Sequence, residues 1–568
     1  MIDRRSFMAA CAATGLRAAD SPDAQFVRTA EDYIEKTLEN SPEFATRVGD
    51  HRFDNRLNDV SPAGRERRVA NDRECLRRLD PIAPDRLQKQ NGIDSRILRN
   101  RAESGVWHET TLREFEWNPM VYNPGGALYV LLERDFAPLP QRLESLRGRL
   151  DAIPGMLEAA KQNLKTATHI HTETALQQNH GTIALVRHTV DEHAAKVSGM
   201  REKLGPAQER AAAALEDWGR WLESDILPKA NRDFRLGGDL YAPKLRYALD
   251  SDLTGAQIRS GAEADLRRAQ DEIYTTAAAL WRRWSLGPDL SDRKRVVRTV
   301  LDKLAENRPT ADTIVPLAER DLQQATDFVR TQRLVSVPET PLRIVVMPEF
   351  ERGVAVANCN SPGPLEKRGE TFLNISPPPA NWTAKQVDSS FREYNNSMTQ
   401  DLIVHEAMPG HYLQLAHANR FRAGTLVRTV FWSGPFVEGW AVYGERVMAE
   451  HGYGGPEVRM EQLKMWLRTI INALLDVGIH TAGMTEQEAM RLMTEEGFQE
   501  QSEAAGKWRR ACLTSAQLPT YYVGATALLQ LRADYQKKNG PIRDWQAFHD
   551  RMLSFGSPPP RYVRELML

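Results

Sequence analysis

A mostly α-helical fold with one small β-sheet is predicted by three observations. Apolar residues recur at intervals of three and four along most of the chain, β-branched alternation is rare, and the strand-like runs cluster between residues 341 and 375. The chain opens with Asp3-Arg4-Arg5-Ser6-Phe7-Met8 followed by an apolar run to Leu16, the form of a twin-arginine export signal. Arg17 interrupts that run and Arg17-Ala18-Ala19 is a poor cleavage site, so residues 1–23 read either as such a signal or as a disordered N-terminus. Export to the periplasm or beyond is the expectation, and the cytoplasm is the compartment if the signal reading fails. Cys11 lies too close to the arginines to serve as a lipid-attachment site.

From about Ala24 to Gly205 the pattern is one of successive amphipathic helices, broken at Asn118-Pro119, at Asn123-Pro-Gly-Gly126 and at Pro138-Leu-Pro140. A second helical run covers roughly 206–335, with Thr254 as an N-cap candidate. Three short runs then suit a sheet of two to four strands: Pro341–Met347 closed by Pro348, Gly353–Ala357, and Gly369–Ile375 before Pro377-Pro-Pro379. An exposed strand edge can accept an extended peptide through main-chain hydrogen bonds, and a hairpin that merely covers the core fits the same residues.

The 568 residues contain no Ser/Gly-rich linker, so 24–568 reads as a single large domain, or as two intimately packed lobes at about 24–335 and 336–568. A chain that is 41% hydrophobic and 27% charged, with a formal net charge of -1, is a soluble globular type with no call for nucleic acid or an anionic membrane as main partner. Basic clusters such as Arg65-Glu66-Arg67-Arg68 sit among acids in helical patterns and read as solvated faces. The four cysteines show no CxxC spacing, so neither a zinc knuckle nor a disulfide framework is indicated. No later segment reaches the ~20 apolar residues needed to span a bilayer.

Phe391, Tyr394, Met398, Leu402 and His405 follow a helical spacing, which puts His405 on the apolar face of a helix starting near Thr383 or Asp388. His405-Glu406 resembles the start of an H-E-x-x-H zinc helix, but Pro409 stands where the second histidine should be, and His411 follows two residues later. On a regular helix residues i and i+6 point about 120° apart. Pro409 has no N–H for the carbonyl of His405, it pushes Met408 out of the helical region, and Gly410 tolerates unusual angles. An irregular turn can therefore return His411 toward His405. A catalytic zinc site needs a third protein ligand, and Glu438 is the obvious donor. It sits beside Val437 and Trp440, with Glu445 two turns further on the same side. A surface glutamate at a helix N-terminus fits Glu438 equally well. The histidines at 169, 171, 180, 188 and 193 lie in polar helical sequence and read as solvated.

The segment His405-Glu-Ala-Met-Pro-Gly-His-Tyr-Leu-Gln414 resembles the H-E-A-x-P-G-H-x-x-Q signature of the DUF885 family, bacterial proteins similar to gluzincin metallopeptidases of the carboxypeptidase Taq and angiotensin-converting-enzyme type. Further matches follow in order at Glu438–Glu445, Asp476–His480, Gln517–Gly524 with Leu531-Arg532, and Phe548-His-Asp550 with Gly556. The resemblance implies a large helical zincin-like fold, two lobes around a deep cleft, and a small sheet beside the active-site helix. It implies one zinc per chain held by His405, His411 and Glu438, with Glu406 as general base. Tyr521 falls where such enzymes place an oxyanion-donating phenol, and Tyr522 beside it leaves that assignment open. Ser515-Ala-Gln-Leu518 departs from the family's Pro-Gly-Gln-Ala. Glu445, His480, Gln517 and Arg532 are expected to orient ligands or touch substrate. The implied activity is hydrolysis of short peptides. Two rivals are a two-histidine, one-carboxylate iron enzyme, which leaves Glu406 without a role, and a metalloprotein that binds an amide, or hydrolyses one other than a peptide.

Overall fold

Leu143, Leu146, Leu150, Ile153 and Leu157 alternate at three and four residues, and all are buried on one stripe of helix Leu139–Asn163. Leu204, Ala207, Ala211, Leu215 and Trp218 form the matching stripe on helix Met200–Trp221, and the two stripes face each other in one core. The computed structural model describes residues 21–347, 356–366 and 369–568. The signal-like N-terminus, Cys11, Pro348 and the 353–355 part of the second predicted strand lie outside them.

The chain divides into two compact units. The first comprises the described residues up to Thr168, then Thr172–Asn231 and Arg422–Phe431. Inside it, Arg428 holds its short segment in place, donating Nε to Asp94 at 2.5 Å with both side chains fully buried. The second comprises His169–His171, Arg232–Phe421 and Trp432–Leu568. The division thus falls at Arg232 rather than near 335, because helix Gly255–Arg283 packs against helix Gly455–Ala482 and shares its core. Helix Met200–Trp221 also runs through the boundary expected at 205, with Pro206 inside it.

Thr254 caps helix Gly255–Arg283 in a capping box with Gln257, as its position in the sequence suggests. Among the described residues the sheet has three strands, β1 (Leu342–Val346), β2 (Ala357–Asn360) and β3 (Thr371–Ile375), in the order β1-β3-β2. β1 pairs parallel to β3 and β2 antiparallel to it, so among the described strands β1 and β2 flank β3. Its residues lie further along than the predicted 353–357 run. Among the expected solvated histidines, His171 is a correction: it is 2% exposed and its Nε2 lies 3.2 Å from the Leu513 carbonyl. No described helix is long and apolar enough to cross a membrane.

Candidate metal centre

Asn395 begins the central element. Its side chain accepts the N–H groups of Ser397 and Met398, capping helix Asn396–Glu406. The helix that carries His405 therefore starts at Asn396 and not near 383 or 388. Thr383 caps a separate helix, Ala384–Glu393.

The helix ends where Pro409 removes its donor. Ala407 and Met408 both donate to the Ile403 carbonyl, and Gly410 donates past them to Val404 at 2.9 Å. The Met408–Pro409 peptide is cis. A Cβ on Gly410 would lie 1.8 Å from the His405 carbonyl oxygen, so the chain can pass there only without a side chain. Trp440, 1% exposed, donates its indole N–H to the Pro409 carbonyl at 2.8 Å and pins the turn. The chain then restarts as helix His411–Ala418. Gly410→Ala is expected to displace the turn, cost roughly 1–3 kcal/mol of stability and lower metal occupancy. A thermal melt and metal analysis of the purified variant check both.

The turn brings the two imidazoles together, with ring centroids 4.8 Å apart and planes at 87°. Glu438 Oε2 lies 3.4 Å from His411 Nε2 and 3.9 Å from His405 Nε2. Ligand atoms of all three residues lie within 4.8 Å of one another. A tetrahedral zinc site with arms of about 2.0–2.1 Å has ligand-to-ligand edges of about 3.3–3.4 Å. The observed spacings approach those edges, and two imidazoles with one carboxylate are a donor set that zinc takes, so these residues fit the ion.

Glu438 arrives on helix Gly434–Glu450, capped by Ser433 with Pro435 in its first turn. That helix crosses helix Pro519–Asn539 backbone to backbone. A Cβ on Gly439 would meet the Gly524 carbonyl carbon at 2.4 Å, and one on Gly524 would meet the Pro435 oxygen at 1.9 Å. The glycine crossing lets Tyr521 approach, its ring 6.4 Å from that of His405. Glu445, 1% exposed, is hydrogen-bonded to His405 Nδ1 at 2.6 Å. Such a bond leaves Nε2 free to face the cluster.

The electrostatics are those of a tightly coupled group. Burial, then the charge of His411, lowers His405 to about 4. Burial also opposes the His411 imidazolium, but the hydrogen bond and charge of Glu438 prevail and raise it to about 9. Burial likewise works to raise Glu438, and the hydrogen bond and charge of His411 overcome it and hold its carboxyl below the ordinary value. Burial raises Glu406, against the pull of His411 and His405, and the Cys359 N–H of β2 donates to its carboxylate. Burial raises Glu445 well above its usual range. Burial, then the Glu438 charge, pushes Tyr521 up to about 12, which keeps its O–H a donor at neutral pH.

The other predicted residues separate. Arg510 donates to Gln517 at 3.0 Å and to the Tyr521 hydroxyl at 3.3 Å, joining both to the site. Tyr522 points elsewhere, donating to Asp265 at 2.6 Å. Arg532 is engaged by Glu450 at 2.8 Å and lies over the Tyr443 and Trp545 rings. His480 does not reach the cluster. Its Nε2 meets the Ala511 and Thr514 carbonyls at 3.2 and 2.7 Å, beside Asp476, which accepts from Tyr241 and the Ala516 N–H. Its expected ligand-orienting place is thus corrected to a brace for the turn before Tyr521. Arg510 and the Cys359 N–H escaped the sequence reading, because an arginine among many and a main-chain donor carry no motif.

A helical chain with a two-histidine, one-carboxylate cluster able to hold a metal ion is the class that fold and site define. The chain belongs to the DUF885 family, whose profile, described as "Bacterial protein of unknown function (DUF885)", matches residues 42–567. It is similar to a "putative lipoprotein of unknown function" from Shewanella oneidensis, at 33% identity over 95% of this chain and 99% of that one, with a TM-score of 0.81. A "putative lipoprotein" from Colwellia psychrerythraea shares the fold at 16% identity and a TM-score of 0.79, over 96% and 98% of the two chains. Trypanosoma cruzi metallocarboxypeptidase 1 aligns over 96% of each chain at 11% identity, with a TM-score of 0.41 that is too low to bear on function. No curated protein matches the sequence.

Proposed function

We propose that the chain is a zinc-dependent hydrolase of short peptides, with His405, His411 and Glu438 as metal ligands and Glu406 as general base. The observation that carries this reading is the meeting of three ligand atoms from separate turns within 4.8 Å of one another, with the Glu406 carboxyl beside them. When bound, zinc supplies Lewis acidity, lowering the pKa of a water and polarising an amide carbonyl.

The chain's own residues supply the rest. Glu406 takes the proton of the attacking water and delivers it to the leaving amine, a task suited to a carboxyl raised by burial. Tyr521 donates its O–H to the oxyanion. Glu445 holds the His405 ring through Nδ1, and Arg510 holds the Tyr521 phenol. β2 lies beside Glu406 at one side of the described sheet, a place that suits an extended peptide aligned by main-chain hydrogen bonds. Export is the proposed location, supported by Arg4-Arg5 and by relatives described as lipoproteins.

The test is zinc analysis of the purified protein together with digestion of a mixed peptide library read by mass spectrometry. About one zinc per chain and defined cleavage products are expected, and a fully zinc-loaded protein that cuts nothing sinks the reading. Tyr521→Phe is expected to keep its zinc and lose about 100- to 1,000-fold in kcat. An equal loss from Tyr522→Phe would exchange the two roles.

A further inference from the structure

His405 and His411 are held in different ways. Glu445 fixes the His405 ring through Nδ1, whereas His411 Nδ1 is buried and has no hydrogen-bond partner among the described residues. A metal-binding imidazole is usually oriented by the bond that its second nitrogen makes. Without that bond, the His411 ring is placed only as well as the eight-residue helix His411–Ala418 that carries it. Glu438 is in a similar position, since among the described residues its carboxylate meets only the two histidines.

What sets these two helices against each other comes from the C-terminal end of the chain. Gln414, one turn after His411 and 0% exposed, donates Nε2 to Ser557 Oγ at 2.7 Å. The carbonyl of the same buried Ser557 accepts the N–H of Ser433 at 2.8 Å, and Ser433 caps helix Gly434–Glu450. One residue thus ties the helix of His411 to the helix of Glu438. The residues just before it repeat the connection. His549 Nδ1 donates to the Leu334 carbonyl at 2.7 Å, which leaves Nε2 to accept the hydroxyl of Tyr443, on the Glu438 helix, at 2.9 Å. Asp550 takes the N–H and the hydroxyl of Ser336, whose carbonyl accepts from His417 Nε2 at 2.8 Å on the His411 helix. Gly556, with a φ of 79° that suits glycine, bends the chain from one set of bonds to the other. Gln414, His549, Asp550 and Gly556 all belong to the matched motifs, and the proposed reaction uses none of them.

We propose that residues 548–557 form a bracket for the metal centre, in which Gln414 and Ser557 are positioning residues that set the distance between His411 and Glu438. The bracket touches neither metal nor substrate. It holds two donors that lack a brace of their own at the spacing an ion needs, so its loss weakens the grip on zinc beyond any effect on the fold. The inference rests on the metal ligands proposed above and not on the reaction.

Two variants of the full-length protein test it. Gln414→Met keeps the length of the side chain and removes its donor, and Ser557→Ala removes the acceptor from the other side. Zinc affinity is read by competition with a chelator of known affinity, and melting temperatures are taken without zinc and at one fixed free zinc concentration. Each variant is expected to bind zinc at least tenfold more weakly than the native protein, and zinc is expected to raise its melting temperature by less. The Gln414→Met/Ser557→Ala double variant is expected to bind no more weakly than the weaker single one, because both changes cut the same link. If one single variant does not fold, the affinity of the other decides.

A pair that only supports the fold lowers both melting temperatures equally and leaves the zinc affinity at its native value, and that result overturns the proposal. So do losses in the single variants that add in the double. A native protein that takes up no zinc overturns the metal centre and the bracket with it. Weakened zinc binding in the variants of a protein that cleaves no peptide leaves the bracket standing and removes the hydrolase reading instead.

Discussion

Glu406→Gln is expected to hold about one zinc per chain and to lose peptide hydrolysis by 100- to 10,000-fold, the range that a positioned general base contributes. The change keeps the shape of the side chain and a hydrogen-bond acceptor for the Cys359 N–H, so the turn and β2 have no reason to move. It removes only the ability to take up a proton. Because Glu406 is not among the residues whose ligand atoms converge, metal content should be unaffected. Steady-state kinetics beside metal analysis decide the matter. A fall in kcat with KM nearly constant is the expected pattern, because the missing interaction belongs to the transition state. A variant that keeps most of its activity would remove Glu406 from the mechanism, and one that loses its zinc would make it a ligand.

The His405→Ala/His411→Ala double variant is expected to bind no zinc at a concentration that saturates the native protein. It removes two of the three proposed ligands, and one carboxylate does not retain the ion in competition with a chelator. A ligand that binds only the folded state stabilises by RT ln(1 + [L]/Kd), about 4 kcal/mol at a thousandfold excess over Kd. Zinc should therefore raise the melting temperature of the native protein and leave that of the double variant unchanged, and a chelator should act on the first and not the second. Full zinc occupancy in the double variant would place the metal elsewhere and dismiss the centre.

Much of the site was legible because its residues are adjacent in the chain. His405, Glu406, Pro409, Gly410 and His411 lie within seven positions, and the physics of proline and glycine already implies a broken helix there. The breaks that depend on capping were less visible. Asn395 splits what spacing alone reads as one helix from 383 to 405, because its amide also donates to Glu461 and fixes the second helix start from a distant element. Tyr521 and Tyr522 could not be told apart from sequence, since neighbours on a helix differ by about 100° in direction and only the packing says which way is inward. The Gly439–Gly524 contact turns Tyr521 to His405 and leaves Tyr522 to Asp265.

By itself, the sequence determined the helical class, the small sheet before the histidine segment and the break at Pro409-Gly410 between the two histidines. These follow from local periodicity and from backbone limits that act within a few residues. Only the tertiary structure decided that Glu438 meets the two histidines, that Glu445 braces His405 and that Cys359 faces Glu406. Those relations join residues about 30 to 50 positions apart, and long-range contacts are set by which apolar surfaces bury one another, which no local pattern encodes.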